Sequence, residues 1–273
     1  MFGEILERVR RQSPVIHNIT NYVTANDCAN MLLACGASPI MADDLEEAAE
    51  ITSGCQGLNI NIGTLNPQKL SAMVAAGRRA NELGHPVVLD PVGVGVSGLR
   101  KRAAARLLEE VRFSAIRGNI SEIRVLAIGG ASSEGVGADA ADKVTEENLE
   151  ETLEFVKGFA CKMGLVAAVT GGIDLVTDGE RACCIRNGHP MMNRVTGTGC
   201  QLSALATAFL AVSPDSPFEA VAAAVCAMGL CGEIGYERMG SLDGNASYRN
   251  YMIDAMYRLT PRELKKGANY EMC

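Results

Sequence analysis

The chain has 273 residues, of which 48% are hydrophobic, and a formal net charge of −7. This length and apolar content can bury a sizeable core, so we expect a single domain over residues 1–273. An acidic chain lacks the basic surface that DNA or RNA binding needs, which excludes nucleic acid as a partner.

The ten cysteines are scattered, and no C-x-x-C pair is present to hold a zinc ion. Most lie among Ala, Leu and Met, where a thiol behaves as a small apolar group, so we expect a reducing, cytoplasmic location. The first residues, MFGEILERVRRQS, are charged and amphipathic, unlike a signal peptide. The most apolar stretches, 200–212 and 220–232, are too short for a bilayer, so no membrane partner is expected.

Short apolar runs alternate with helical patterns along the chain. The predicted strands are 38–41, 57–62, 86–89, 115–117, 165–170, 174–177 and 181–186. The predicted helices are 22–35, 45–53, 67–83, 99–111, 121–128 and 146–163, a surface loop is predicted at 129–137, and the chain after Cys200 is predicted to be almost wholly helical. This order predicts an α/β fold with a mostly parallel sheet, and the short connections between the last three strands predict an antiparallel edge.

The segment 16–23 is unusually polar between apolar neighbours. Asn18, Thr20 and Asn21 are suited to capping the next helix, and they are equally suited to hydrogen bonding a small heteroaromatic ligand. Met41, in the following strand, fits either the core or a contact with a ring. These alternatives stay open from the sequence alone.

Asp90 follows the predicted strand 86–89 and precedes Pro91. An acid at the carboxyl end of a strand suits Mg²⁺ binding, directly or through water, because ligands of open α/β sheets bind at that edge. The alternative interpretation is a residue that only turns the chain before proline.

The residues 93–98 read GVGVSG and match the dinucleotide pattern G-x-G-x-x-G. That pattern should lead from a strand directly into a helix and be followed by an acid about 20 residues later. Here Asp90 and Pro91 intervene, and the next strand ends at Arg117. An NAD-dependent dehydrogenase is therefore the disfavoured alternative, and we expect a flexible glycine loop near the substrate.

Two further strand ends carry polar residues. Arg117 ends one strand and suits phosphate oxygens, and Glu122 in the next helical turn suits a magnesium site or a capping box with Asn119. Both roles of Glu122 are compatible.

Thr170, before two glycines, suits either a nucleotide border or a hairpin turn towards Asp174, and the turn is favoured.

The segment 195–200, VTGTGC, precedes a strongly apolar helical pattern. Glycines allow close approach of a ligand, and the amino end of a helix offers free N–H groups and partial positive charge. This combination predicts an anion hole for a phosphoryl group, although no Walker A sequence occurs. Cys200 lies where the helix dipole favours a thiolate; the alternative is a structural cysteine.

Together these segments resemble hydroxyethylthiazole kinase of the ribokinase-like superfamily. The matching stretches, in the family's order, are HNITNYVT, GASPIMAD, LNINIGTL, VVLDPVGVG, AIRGNISEI, VAAVTGG and VTGTGC, and they span about residues 13–212. Most of that superfamily carries G-x-G-D where this chain has G-T-G-C. The resemblance implies a ribokinase-like three-layer α/β/α fold.

The resemblance also implies roles for individual residues. Substrate-binding residues would be Met41, Asn21, Val23 and Gly197; the ATP-binding residues would be Arg117, Thr170 and Gly199; Asp90 and Glu122 would organise Mg²⁺; and Cys200 would be catalytic. The family is a homotrimer with sites at its interfaces, so Gly197 and Cys200 would face Met41, Asn21 and Val23 of the neighbouring subunit.

The implied reaction transfers the γ-phosphate of ATP to the primary alcohol of 4-methyl-5-(2-hydroxyethyl)thiazole in thiamine biosynthesis and salvage. The alternatives are a related kinase for another alcohol, such as hydroxymethylpyrimidine, and a non-catalytic nucleotide-binding regulator on the same fold. A repair dehydratase of hydrated nicotinamide cofactors, also ribokinase-like, is expected to carry G-x-G-D instead of G-T-G-C.

Overall fold

A computed structural model describes residues 1–129 and 143–273. Its centre is a nine-stranded sheet in the order β2-β1-β3-β4-β5-β6-β7-β8-β9. The strands are β1 Val15–Ile19, β2 Ser38–Met41, β3 Gly57–Asn61, β4 Val87–Asp90, β5 Ala115–Gly118, β6 Val166–Val169, β7 Asp174–Thr177, β8 Ala182–Ile185 and β9 Tyr270–Met272. Strands β1 to β6 pair in parallel, and β7, β8 and β9 add an antiparallel edge.

Helices cover both faces of this sheet. They are α1 Phe2–Gln12, α2 Ala25–Cys35, α3 Ala48–Ser53, α4 Pro67–Leu83, α5 Gly98–Glu110, α6 Ile120–Ile128, α7 Leu149–Met163, α8 Thr198–Ala211, α9 Pro217–Glu237, α10 Asn245–Arg258 and α11 Pro261–Gly267. One buried cluster joins the sheet to α1, α2 and α8 to α11, and a second joins the other face to α3 to α7. Alternation of side chains along the buried strands supplies both clusters, which gives the three-layer α/β/α arrangement.

The predicted α/β fold and its antiparallel edge are confirmed, and the seven predicted strands lie within a few residues of β2 to β8. Two strands were not predicted. The segment 16–23 was interpreted as a polar cap or ligand segment, but residues Val15–Ile19 form β1. The short exposed strand Tyr270–Met272 lies in the tail that was predicted as helical.

Helix α9 is longer than the apolar stretch that the sequence indicated. With 21 residues it is long and apolar enough to cross a membrane, whereas the apolar stretch 220–232 was considered too short. However, 83% of its most apolar window is buried inside the fold. The helix is apolar on all sides because it packs between α8, α10 and the sheet, as core helices do.

The glycine segment 93–98 forms an ordered turn. Gly93 adopts φ 63°, a short 3₁₀ turn covers Val94–Val96, and Ser97 caps α5. The Gly93 amide donates to Glu122 Oε1 (2.8 Å), which holds the start of the segment against α6. The loop predicted at 129–137 lies, beyond Gly129, outside the described residues.

Candidate active site

Polar residues form a row along the carboxyl edge of the parallel strands. In the sheet register Asn61, the last residue of β3, lies opposite Asp90, the last residue of β4. Arg117 on β5 lies one position beyond the pair Leu89 and Ile116. The order β2-β1-β3 places β1 at a point where the chain changes direction across the sheet, and open α/β sheets bind ligands at such a point. The register therefore assembles a candidate site from separate strands.

Helix α8 begins at this edge without a side-chain cap. Its N-cap residue is Gly197, with φ 82°, a conformation that glycine adopts without strain. A Cβ at position 197 would overlap the side chain of Thr24, so the close approach to α2 also requires glycine. The first helical amides, at Thr198, Gly199 and Cys200, therefore lack a capping side chain and remain available to an anion.

The guanidinium of Arg117 lies against the start of α8. A Cβ added to Gly199 would overlap both terminal nitrogens of Arg117. Nη2 of Arg117 donates to the hydroxyl of Thr170, and Nη1 lies 3.7 Å from Asp90 Oδ1. The structure thus brings together four of the residues predicted for the nucleotide and the metal, and it adds a fixed positive charge beside the helix amides.

A cavity of about 460 Å³ opens in front of this arrangement. Its wall includes Arg117, Thr170, Gly171, Thr198 and Gly199, and it continues along Asp174, Asn187, His189, Val225 and Met228. The predicted anion hole therefore borders a cavity and is not blocked by the fold. The cavity combines apolar side chains with a few polar groups, as small-molecule sites do.

Asp90 is fully buried at the centre of the site. Its Oδ2 accepts hydrogen bonds from Asn61 Nδ2 and from Ser203 Oγ, both at 2.8 Å, whereas Oδ1 has no hydrogen-bond partner. Burial raises the pKa of Asp90 to about 6; Arg117 and the two hydrogen bonds oppose this rise, and the charge of Glu122 adds to it. Among the described residues the Oδ1 atom has an ion pair with Arg117 but no hydrogen bond, so it retains the capacity to bind a metal ion or a further donor.

Glu122 forms the capping box that was one of its two expected roles. Its Oε2 accepts from the Asn119 amide, and Asn119 Oδ1 accepts from the Glu122 amide, each at 2.8 Å, which forms the predicted capping box. Its Oε1 accepts from the Gly93 amide. The carboxylate is therefore fixed close to Asp90, and its remaining lone pairs suit a metal-bound water.

Cys200 is buried, and its sulfur accepts hydrogen bonds from Asn61 Nδ2 (3.2 Å) and Asn21 Nδ2 (3.3 Å). Burial raises the pKa of the Cys200 thiol, and the negative charge of Asp90 raises it further. Bonds from Thr24 and Asn61 and the charge of Arg117 lower it without cancelling the rise. Burial beside a carboxylate therefore opposes the thiolate that the helix dipole was expected to favour.

The predicted thiazole-pocket residues divide into two groups. Asn21 is buried and contacts Cys200 of its own chain, whereas Cys200 was expected to face it from the neighbouring subunit. By contrast, Val23 is 60% exposed and Met41 is 39% exposed. These two apolar side chains lie at the end of β2 and in the turn after β1, and within residues 1–129 and 143–273 they keep a large exposed surface.

Three residues of the site were missed from the sequence. Asn61 and Ser203 bond Asp90, and Asp174 lines the cavity while accepting from the Gly171 amide (2.8 Å). Burial raises the pKa of Asp174 to about 7, against the Gly171 bond and the charge of Arg117. A signal for Asn61 existed, because asparagines at 59 and 61 alternate with apolar residues in a strand that is buried throughout.

The available ligand residues limit which metal ion this site can hold. Within residues 1–129 and 143–273, no group of three or more His, Cys, Asp or Glu is placed to hold a metal ion. A pair of carboxylates, Asp90 and Glu122, is what this site supplies. Mg²⁺ is commonly held by one or two carboxylates together with substrate phosphates and water, so the pair fits that ion when phosphates are present.

Comparisons with known proteins identify the family and the fold. The model of the hydroxyethylthiazole kinase family matches residues 6–262. Hydroxyethylthiazole kinase of Clostridium acetobutylicum is 57% identical over 271 residues, covering 99% of each chain. A solved structure of hydroxyethylthiazole kinase from Pyrococcus horikoshii OT3 superposes with a TM-score of 0.88 at 36% identity, covering 100% of this chain and 98% of that one.

A more distant structure bears on the fold alone. A ribokinase-like superfamily protein from Enterococcus faecalis is 15% identical and superposes with a TM-score of 0.59, covering 97% of this chain and 95% of that one. The three-layer fold is thus ribokinase-like. The family match extends over most of the chain, and it is supported by a full-length relative of more than half identity. The chain belongs to the hydroxyethylthiazole kinase family.

Proposed function

We propose that this kinase transfers the γ-phosphate of ATP to the primary alcohol of 4-methyl-5-(2-hydroxyethyl)thiazole, in thiamine biosynthesis and salvage. Membership of the family makes ATP the co-substrate. We further propose that residues 1–273 act as one kinase domain in the cytoplasm.

The uncapped turn at the start of α8 supports this proposal most strongly. Thr198 and Gly199 border the cavity, and Arg117 lies against Gly199 from the sheet side. A phosphoryl group in the cavity beside them would meet helix amides and a guanidinium at once. Phosphoryl transfer proceeds through a loose transition state, so positioning and charge stabilisation of this kind account for most of its catalysis.

The metal requirement follows from Asp90 and Glu122. Oδ1 of Asp90, which accepts no hydrogen bond from the described residues, and the fixed carboxylate of Glu122 would hold Mg²⁺, directly or through water. When bound, the ion would neutralise charge on the phosphate oxygens. Arg117 lies between Asp90 and the cavity, and its single positive charge offsets part of the negative charge of the two acids.

The reaction then requires little chemistry from the protein. The alcohol oxygen forms a bond to the γ-phosphorus, the bond to the bridging oxygen breaks, and ADP leaves. Cys200 would receive the alcohol proton late in the step. Because burial and Asp90 raise the pKa of its thiol, a thiolate is a minor form before substrate binds. We therefore assign Cys200 a modest role as base and give the larger share to the amides and Arg117.

Assembly as a homotrimer would complete the substrate side of the site. Val23 and Met41 are exposed apolar residues near the carboxyl edge of the sheet, and Tyr22 beside them is 80% exposed. Side chains of this kind gain from burial against a neighbouring subunit. We propose that they contribute to the thiazole pocket, with Gly197 and Cys200 of an adjacent subunit on its opposite side.

Product analysis tests the proposed function. The protein is supplied with Mg-ATP and equal concentrations of the hydroxyethylthiazole and of hydroxymethylpyrimidine, and the phosphorylated products are measured by mass spectrometry. We expect the thiazole phosphate to dominate. Dominant pyrimidine phosphate would assign the protein to the other alcohol, and ATP binding without either product would indicate a non-catalytic regulator.

A further inference from the structure

The side-chain amide of Asn61 is hydrogen bonded at every position it offers. Its Oδ1 accepts from the Gly63 amide (2.9 Å) and from Asn21 Nδ2 (3.1 Å). Its Nδ2 donates to Asp90 Oδ2 (2.8 Å) and to Cys200 Sγ (3.2 Å). A backbone N–H can only donate, so the Gly63 bond fixes which end of the Asn61 amide is oxygen. The N–H groups must then face Asp90 and Cys200.

Asn21 is oriented in the same way. Its Oδ1 accepts from the Thr24 amide (3.1 Å), which leaves its Nδ2 to donate to Asn61 Oδ1 and to Cys200 Sγ. The sulfur of Cys200 therefore receives two N–H groups, each directed by a backbone amide. A thiol sulfur has two lone pairs, one bond to Cβ and one bond to hydrogen. With both lone pairs occupied, a single direction remains for its proton.

We propose that Asn61 is a positioning residue for phosphoryl transfer: its amide couples the carboxylate of Asp90 to the sulfur of Cys200 and, with Asn21, fixes the direction along which Cys200 exchanges a proton. The catalytic part of this inference rests on the proposed function. The coupling itself is a property of the protein without substrate.

Residue type supports this assignment. Aspartate at position 61 would place an oxygen where both neighbours need a donor, and alanine would leave Asp90 Oδ2 with one donor fewer. Ser203 provides the matched comparison, because its hydroxyl donates to the same Asp90 oxygen without a bond to Cys200. Asn59 controls for damage to β3, since it is also buried there and bonds Asn18 instead.

The first measurement needs no substrate. Alkylation of Cys200 by iodoacetamide at pH 8 is followed by mass spectrometry of its peptide in the wild type and in Asn61→Ala, Asn61→Asp, Ser203→Ala and Asn59→Ala. Losing a donor to the sulfur makes the thiolate rarer, so both Asn61 variants should react about tenfold more slowly. The Ser203 and Asn59 variants should stay within about twofold of the wild type. Faster alkylation of the Asn61 variants would show that the substitution only opens the packing around Cys200. That result would overturn the proposed coupling of Asp90 to Cys200.

The second measurement is a kinetic cycle. Asn61→Ala should lower kcat about tenfold while leaving the KM for ATP nearly unchanged, and it should lower kcat much less in a Cys200→Ala background. An equal fold loss in both backgrounds would overturn the positioning role. If Asn61→Ala does not fold, Asn61→Asp keeps the side-chain volume and the oxygen facing Gly63, and it serves for both measurements. Absence of wild-type activity would refute the proposed function, but the alkylation rates would still decide the coupling.

Discussion

The guanidinium of Arg117 lies so close to the Gly199 backbone that no side chain fits between them. This contact joins the end of β5 to the beginning of α8, two elements that are far apart in sequence. It places a permanent positive charge beside the first helical amides, at the wall of the cavity. The two sources of positive potential therefore act on the same volume.

Replacing Gly199 by alanine should separate the guanidinium of Arg117 from the first amides of α8. The new Cβ would overlap both terminal nitrogens of Arg117 and push the guanidinium away from Thr170 and the helix amides. Loss of one such charge-stabilising contact typically costs about 10²–10³ in turnover, so we expect kcat/KM for ATP to fall on that scale. Steady-state kinetics with thiazole in excess measures the effect.

A matched glycine serves as its control. Gly158 lies in α7, and an added Cβ there would have no atom within 4 Å. Gly158→Ala should keep wild-type kinetics and should raise stability slightly, because alanine favours a helix over glycine by about 1 kcal/mol. Equal losses in Gly199→Ala and Gly158→Ala would refute the importance of the Arg117 contact.

Cys200→Ala should slow turnover and leave ATP binding largely intact. The sulfur contacts Asn21 and Asn61, and Cys200 is not among the residues of the cavity wall. General-base assistance is usually worth about 10²–10⁴-fold, and the raised thiol pKa places Cys200 at the low end of that range. Isothermal calorimetry with Mg-ATP and a kcat measurement separate the two effects. Full activity of the variant would remove Cys200 from the mechanism.

Asp90→Asn should stabilise the metal-free protein while reducing its activity. The carboxyl pKa is raised from 3.8 to about 6 by burial, so the native state holds a proton that the unfolded chain releases between about pH 4 and 6. The unfolding free energy of the wild type therefore falls as pH rises through this window. The unfolding free energy of Asp90→Asn does not fall in this way. The variant should therefore become more stable than the wild type, by at most about 3 kcal/mol above pH 6.

Denaturant unfolding at pH 4 and pH 8 measures this difference, with Asp178→Asn as a control of opposite sign. Burial acts to raise the pKa of Asp178, but hydrogen bonds from Arg181 and Glu180 outweigh it and lower the pKa. Asp178→Asn should therefore lose stability at pH 8. A decrease in stability of Asp90→Asn at pH 8 would show that the ionised carboxylate is not a cost to the fold.

The proposed assembly is tested at Val23. Val23→Glu would place a charge on an exposed apolar surface, so we expect dissociation of the oligomer and loss of thiazole phosphorylation together. Light scattering coupled to size exclusion gives the mass. The control is Leu242→Glu, since Leu242 is 99% exposed and should tolerate a charge. A monomeric wild type with full activity would contradict the interface site.

The sequence was informative where local rules decide structure. Apolar runs bounded by glycine and proline located β2 to β8, and the N-cap pattern at Asn119 predicted the capping box observed there. By contrast, β1 was missed because His17 and Asn18 look polar. In the fold these side chains are buried, and Asn18 accepts a hydrogen bond from Asn59 on the neighbouring strand.

Part of the site was predictable because local patterns at strand ends are visible in the sequence. Glycines and charged residues at strand ends identified Arg117, Asp90 and the turn before α8. Asn61 and Ser203 were not identified, because their importance lies in bonds to Asp90 from residues that are distant along the chain. The raised pKa of Cys200 was also not predicted, since a helix start is visible in the sequence while burial beside a carboxylate is not.

The most direct test is a crystal structure with Mg²⁺, a non-hydrolysable ATP analogue and the thiazole alcohol. We predict that γ-phosphate oxygens lie within hydrogen-bond distance of the first amides of α8 and of Arg117, with the alcohol on the side of Cys200. A γ-phosphate bound elsewhere, with those amides facing only water, would contradict the account.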